Sequence, residues 1–234
     1  MAKRVSQMIE EQVHFWRLNN SADRTPRPKG TVFPVITISR AYGAKGAKIA
    51  QMLEAKIGFK VWDKEILNVI SEELGSSVEF LESLDEHAQN LVDDTIFGIL
   101  NQKSTNLNYL LYLVRAVQTI EKFGNAIIVG RGANHIVQNQ LALNVRTVAP
   151  ISHRIQSLSE SRQISKEEAR AILLTTDEDR AEFTRVNFNK DINDASNYDL
   201  TINIATYSQE DAVAIICDAY EKKTGISITE LMQT

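Results

Sequence analysis

The 234-residue chain carries one cysteine, Cys217, so a disulfide framework is excluded and a reducing compartment fits. Its four prolines and ten glycines are sparse, and with 43% hydrophobic residues the composition is that of a folded domain rather than a disordered chain. No apolar run approaches the ~20 residues of a membrane span. There is no basic excess: 26 Lys and Arg stand against 30 Asp and Glu, a net charge of −4. That balance argues against a general nucleic-acid binder, while local basic clusters can still hold phosphate. Glu10 and Glu11 interrupt the first twenty residues, so a signal peptide is not expected and the cytoplasm is the expected location.

The length suits one large domain, or one domain with an inserted lid. Residues 1–30 form an expected N-terminal unit. Val5, Met8, Ile9, Val13, Phe15 and Trp16 mark an amphipathic helix, followed by a polar linker with Pro26 and Pro28. Its apolar face is a candidate contact with the main domain or with a second copy of the chain, a homodimer. The main domain is expected over 31–234, with a helical insert at 76–124 and a lid region at about 152–190.

Apolar runs of strand length fall at 32–38, 60–62, 126–129, 145–148 and 200–204. Helical patterns separate them. Ile49, Leu53 and Ile57 precede a C-capping Gly58, and Ser165-Lys166-Glu167-Glu168 forms a capping box that opens a long polar helix to about Phe188. This alternation predicts an α/β fold: a parallel sheet of about five strands with helices on both faces. Ligands of such sheets bind beyond the carboxyl ends of the strands, so the loops there are the places to seek function.

The first such loop runs Arg40-Ala41-Tyr42-Gly43-Ala44-Lys45-Gly46-Ala47-Lys48. Small residues at a strand-to-helix turn let backbone N–H groups approach a phosphate at the positive end of a helix dipole. Aligned on a nucleotide-kinase loop, however, Gly46 takes the lysine position and Arg40 that of the first glycine. The lysine that neutralises the β/γ-phosphates and the hydroxyl that ligates Mg²⁺ are thus absent. Lys45, Lys48 or Arg40 is left to supply positive charge from a neighbouring position.

Ile38-Ser39-Arg40-Ala41-Tyr42-Gly43-Ala44-Lys45-Gly46 resembles the opening of the cytidylate-kinase-like family, which typically has an Ile-Ser-Arg-Glu-Tyr/Phe-Gly-Ser-Gly-Gly loop without the Walker lysine. Three further segments carry the resemblance in the same order: Val61-Trp62-Asp63-Lys64-Glu65, Ile127-Ile128-Val129-Gly130-Arg131-Gly132-Ala133-Asn134, and Thr176-Asp177-Glu178-Asp179-Arg180 followed by Asn197-Tyr198-Asp199. The resemblance covers about residues 32–222. It implies a P-loop NTPase-type sheet with a helical acceptor or lid insert, and ATP-dependent phosphoryl transfer to a nucleoside monophosphate, CMP or dCMP, with Mg²⁺. It also implies roles. Arg131 would bind the acceptor phosphate, and Arg180 and Arg185 would close over the transferred group. Asp63 would contact the acceptor or the Mg²⁺ water shell, or else cap a helix. Asn134 would meet the base, or start a helix. Arg154 would add charge, although the family often has further basic residues where this chain has Gln156 and Ser157. No protein metal ligands are expected.

Two other readings stay open: a nucleotide- or phosphate-binding regulatory protein that has lost catalysis, favoured by the altered loop, and a kinase of another small acceptor.

Overall fold

The computed structural model describes residue 14, residues 34–65, residue 67 and residues 107–228. The expected N-terminal helix and linker, and the insert before residue 107, lie outside the described residues, apart from residue 14. No helix among the described residues is long and apolar enough to cross a membrane.

Five strands alternate with helices: β1 (Val35–Arg40), α1 (Gly46–Ile57), β2 (Lys60–Trp62), α2 (Leu107–Phe123), β3 (Ala126–Val129), α3 (Ala133–Ile136), β4 (Leu143–Val148), α4 (Ile151–Arg162), α5 (Lys166–Phe188), β5 (Leu200–Asn203) and α6 (Gln209–Thr224). The sheet order is β2-β3-β1-β4-β5 and every pairing is parallel. This is the α/β architecture that the sequence predicts, a parallel sheet of five strands, with β1 at its centre.

Both faces are buried at the centre of the sheet, which is why β3 is apolar throughout and β1 nearly so over its buried residues 35–38. On one face Ile36, Ile38, Ile127, Val129 and Val145 pack with Ile49 and Leu53 of α1 and Ile216 and Tyr220 of α6. On the other, Val35, Ala126 and Ile128 pack with Leu113, Val117 and Ile120 of α2, Ile136 of α3 and Phe188 at the end of α5. Gly58 ends α1 in the left-handed conformation, donating its N–H to the Glu54 carbonyl. Ser165 caps α5 by accepting from the Glu168 amide.

The first strand runs two residues further than its apolar run suggests. Arg40 pairs in register with Thr147, and the Ala41 amide donates to the Thr147 carbonyl at 3.0 Å. Arg40 is therefore a strand residue with a fixed backbone, not part of the loop. Helices α4 and α5 form a hairpin with a small core of its own, Leu158, Ala169 and Leu173, against which Tyr42 of the β1 loop packs. This hairpin leans over the carboxyl edge of the sheet and closes one side of the cavity found there.

Candidate active site

Beyond the carboxyl ends of β1 and β3 lies a cavity of about 390 Å³, within the range of sites for small ligands. Arg40, Arg131 and Arg180 converge on it from three separate elements.

The turn after β3 explains its own sequence. Gly130, Arg131 and Gly132 all have positive φ, at 82°, 52° and 65°. A Cβ on Gly130 would lie 1.7 Å from Nη1 of Arg40, and one on Gly132 would lie 2.2 Å from the Phe188 ring. Each glycine thus vacates space for a neighbouring side chain. Arg131, between them, holds a left-handed conformation that costs a non-glycine residue about 1–2 kcal/mol. Its guanidinium lies over two rings, 5.3 Å from the centroid of Phe183 and 5.7 Å from that of Tyr109. Its Nε is buried without a hydrogen-bond partner. A buried unsatisfied donor calls for an explanation, and an anionic ligand supplies one.

Arg180, on α5, donates through Nη1 to the Arg40 carbonyl at 2.9 Å and lies 5.2 Å from the Tyr42 ring centroid. Burial holds its pKa below the ordinary arginine value; the Asp177 and Tyr42 charges oppose the shift, and Arg146 and Arg131 add to it. Arg40 is pushed down to about 10, first by loss of water and then by Arg180, with Asp63 and Glu65 pulling the other way. It is still charged at neutral pH. Cations crowded together this way favour an anion among them.

The other sequence-predicted residues fall into two groups. Tyr42 and Asn134 line the cavity; the Asn134 amide donates to the Asn197 carbonyl at 3.4 Å. Gly43, Ala44, Lys45, Gly46, Ala47, Lys48, Asp63 and Arg185 are not among the lining residues. Lys45 is the left-handed N-cap of α1, and Ala47 and Lys48 are exposed on that helix. Gly43 packs against Arg154 and Leu173 of the α4–α5 hairpin. Asp63 accepts the Glu65 amide at 3.1 Å, the capping role, while its charge acts on Arg40. Arg185 points away: its side chain is 67% exposed and paired with Glu182 on the same helix. The expectation that it closes over the site is corrected by helical geometry, since five residues beyond Arg180 fall on another side of α5.

Arg154 is buried and structural, donating to the carbonyls of Ala149 and Tyr42 at 3.0 Å each and pairing with Asp177.

Arg146 was not foreseen as a site residue. It is 6% exposed and donates to Ser39 Oγ at 3.0 Å and to Asn193 Oδ1 at 2.9 Å, with the Tyr198 ring 5.5 Å away. It fixes Ser39 and Tyr198, which both line the cavity. The signal available was a charged residue inside an apolar strand, Val145-Arg146-Thr147-Val148. Lys64, Glu65, Thr176, Asp179, Phe183, Thr184 and Ile192 complete the lining with a further cation, carboxylates, hydroxyls and apolar contacts.

Residues 35–206 match the profile of the cytidylate kinase-like family. The chain belongs to the cytidylate kinase-like family. It is 26% identical over 182 residues to a cytidylate kinase of Methanothrix thermoacetophila, covering 77% of this chain and 94% of that one. A crystal structure of an uncharacterized protein from Eubacterium ventriosum shares the fold, with a TM-score of 0.62 at 15% identity, covering 80% of this chain and 98% of that one. A shikimate kinase from Bacteroides thetaiotaomicron overlaps with a TM-score of 0.47 at 14% identity, covering 81% and 99%. Within this kinase family, the cavity between β1, β3 and α5 is the candidate active site.

Proposed function

We propose that this family member transfers the γ-phosphoryl group of ATP to a nucleoside monophosphate, CMP or dCMP. The observation that carries the proposal is the convergence of Arg40, Arg131 and Arg180 on one cavity at the carboxyl edge of a parallel sheet. Phosphoryl transfer asks a protein mainly for positioning and for neutralising charge on the transferred group. Guanidinium groups do both, because their planar fork stays charged and pairs phosphate oxygens two at a time.

In this reading Arg131 grips the acceptor phosphate. Its contacts with the Phe183 and Tyr109 rings and its left-handed backbone hold the guanidinium before any ligand arrives, so little reorganisation remains at the moment of transfer. Arg180, anchored on the Arg40 carbonyl, meets the transferred group from α5. Asn134 offers an amide to the base edge. Among the described residues no group of three or more His, Cys, Asp and Glu could hold a metal ion. Mg²⁺ in kinase sites, however, sits chiefly on phosphates and water with one or two carboxylates. Glu65 and Asp179 line the cavity and are the donors that fit that need. Mg²⁺ bound there would neutralise phosphate charge. Closure of the α4–α5 hairpin over the ligands would exclude water.

A coupled assay of ADP release across CMP, dCMP, UMP, AMP and GMP tests the proposal. Turnover with CMP or dCMP above the rest is expected; no turnover with any of the five would contradict it.

One observation favours a second reading, a nucleotide-binding regulator without catalysis. The amide and carbonyl of Tyr42 are taken up by Asp177 and Arg154, and Gly43 to Lys48 do not line the cavity. Stabilisation by ATP in a thermal-shift experiment, with no acceptor turned over, is the outcome that belongs to this reading.

A further inference from the structure

We propose that Arg40, reaching out from the end of β1, does the work of the missing loop lysine on the β- and γ-phosphates of ATP, and that Gly46 is glycine because the Arg40 stem, with Thr147 Oγ1, occupies its side-chain space. The inference rests on the phosphotransferase reading above and assigns the donor-phosphate contact within it.

Gly46 stands at the lysine position of the kinase loop. It is the first residue of α1 and its φ is not in the left-handed region, so backbone conformation does not require glycine there. Space does. A Cβ at position 46 would lie 2.8 Å from Cβ and 3.2 Å from Cγ of Arg40, and 2.9 Å from Thr147 Oγ1. Any side chain at 46, lysine included, collides with the root of Arg40.

The far end of the same arginine makes the same demand. Its guanidinium crosses Gly130 so closely that a Cβ there would be 1.7 Å from Nη1. Two glycines from different elements therefore frame a channel for one side chain, with Gly46 under its stem and Gly130 under its head. The channel leads the head into the cavity.

The two other cations of the loop are placed elsewhere. Lys45 caps α1, Lys48 is exposed on it, and neither lines the cavity. Arg40 does, beside Arg131 and Arg180. Reaching the phosphates from the strand rather than from the helix start, it replaces a point charge with a fork that can pair two oxygens at once.

Titration calorimetry of the full chain with ATP and, separately, with AMP tests this, because the lysine's role concerns the phosphates that AMP lacks. Arg40→Met, which keeps the stem and removes the charge, should weaken ATP binding at least about tenfold and AMP binding less than about threefold. Gly46→Ala should weaken ATP binding in the native background by displacing the Arg40 stem. Thermal unfolding of each variant confirms folding; should Arg40→Met fail to fold, Arg40→Gln must show the same selective loss. An ATP-to-AMP affinity ratio unchanged in Arg40→Met or Arg40→Gln overturns the assignment of Arg40 while leaving the phosphotransferase reading in place. A native chain that binds no ATP overturns both.

Discussion

Asp177 on α5 accepts the backbone amide of Tyr42 at 2.7 Å, and so fixes the loop after β1 to the helical hairpin above it. The other carboxylate oxygen takes Arg154 Nη1 at 2.5 Å, so one side chain joins the loop, α4 and α5. The i, i+3 spacing suggests that Asp177 orients Arg180. In the fold its contacts go to Arg154 and the loop, and it acts on Arg180 only through its charge. Asp177→Ala would leave the Arg154 side chain, 10% exposed, without its counter-ion and the Tyr42 amide unpaired. We expect a loss of about 2–4 kcal/mol in urea unfolding; a loss below about 0.5 kcal/mol would show that the clamp does not matter.

Gly130 faces a double constraint, a φ of 82° and the Arg40 head within 1.7 Å of any Cβ. Gly130→Ala should cost about 1–3 kcal/mol, most of it from the left-handed backbone, because the colliding atoms are the movable tip of Arg40. Only the smaller part depends on Arg40. In an Arg40→Ala background the same substitution should cost about 0.5 kcal/mol less, and a double-mutant cycle by chemical denaturation measures that coupling. Simple additivity would place the Arg40 side chain elsewhere in solution.

His135 stacks on Phe188 with ring centroids 5.2 Å apart, and burial with help from Lys190 pushes its pKa down to about 4. The folded value lies below the usual unfolded one of ~6.5. Between these values the unfolded chain binds a proton that the native chain does not. Stability therefore holds above about pH 6.5 and falls as pH drops toward about 4. Allowing for the partial exposure of the ring, the loss should be about 1–2 kcal/mol. His135→Gln should flatten that part of the profile, read as the urea midpoint against pH; an unchanged slope would assign it to other groups.

Arg180 and Arg185 of α5 and Arg131 after β3 should separate cleanly in steady-state kinetics. Arg131→Ala should lower kcat/KM about 100-fold, since it removes a cation held ready for the transferred charge. Arg180→Ala should fall in the same class. Arg185→Ala should stay within about twofold of the native rate, because its partner is Glu182 on the helix surface. A large loss in Arg185→Ala with no loss in Arg131→Ala would invert the site.

Much of the fold is legible in the sequence because its signals are local. Apolar runs mark the strands, Gly58 marks the end of α1, and Ser165 marks the start of α5, each for a physical reason that acts within a few residues. The end of β1 is not legible, because its extension through Arg40 depends on pairing with β4 more than a hundred residues away. The site divides in the same way. Arg131 stands out between two glycines after a strand. Arg146 does not, since its partners Ser39 and Asn193 are brought to it only by the sheet and by the segment before β5. Small residues in the β1 loop suggest a phosphate cradle, yet Gly46 and Gly130 both lie against one arginine, Arg40, a long-range packing fact that spacing does not encode.

The central claim is that Arg40, Arg131 and Arg180 converge on phosphate. A crystal structure of the chain soaked with ATP tests it most directly. The account predicts phosphate oxygens ~2.7–2.9 Å from guanidinium nitrogens of Arg40 and Arg180, inside the cavity between β1, β3 and α5. Phosphates bound elsewhere on the chain, with those guanidinium groups untouched, would contradict it.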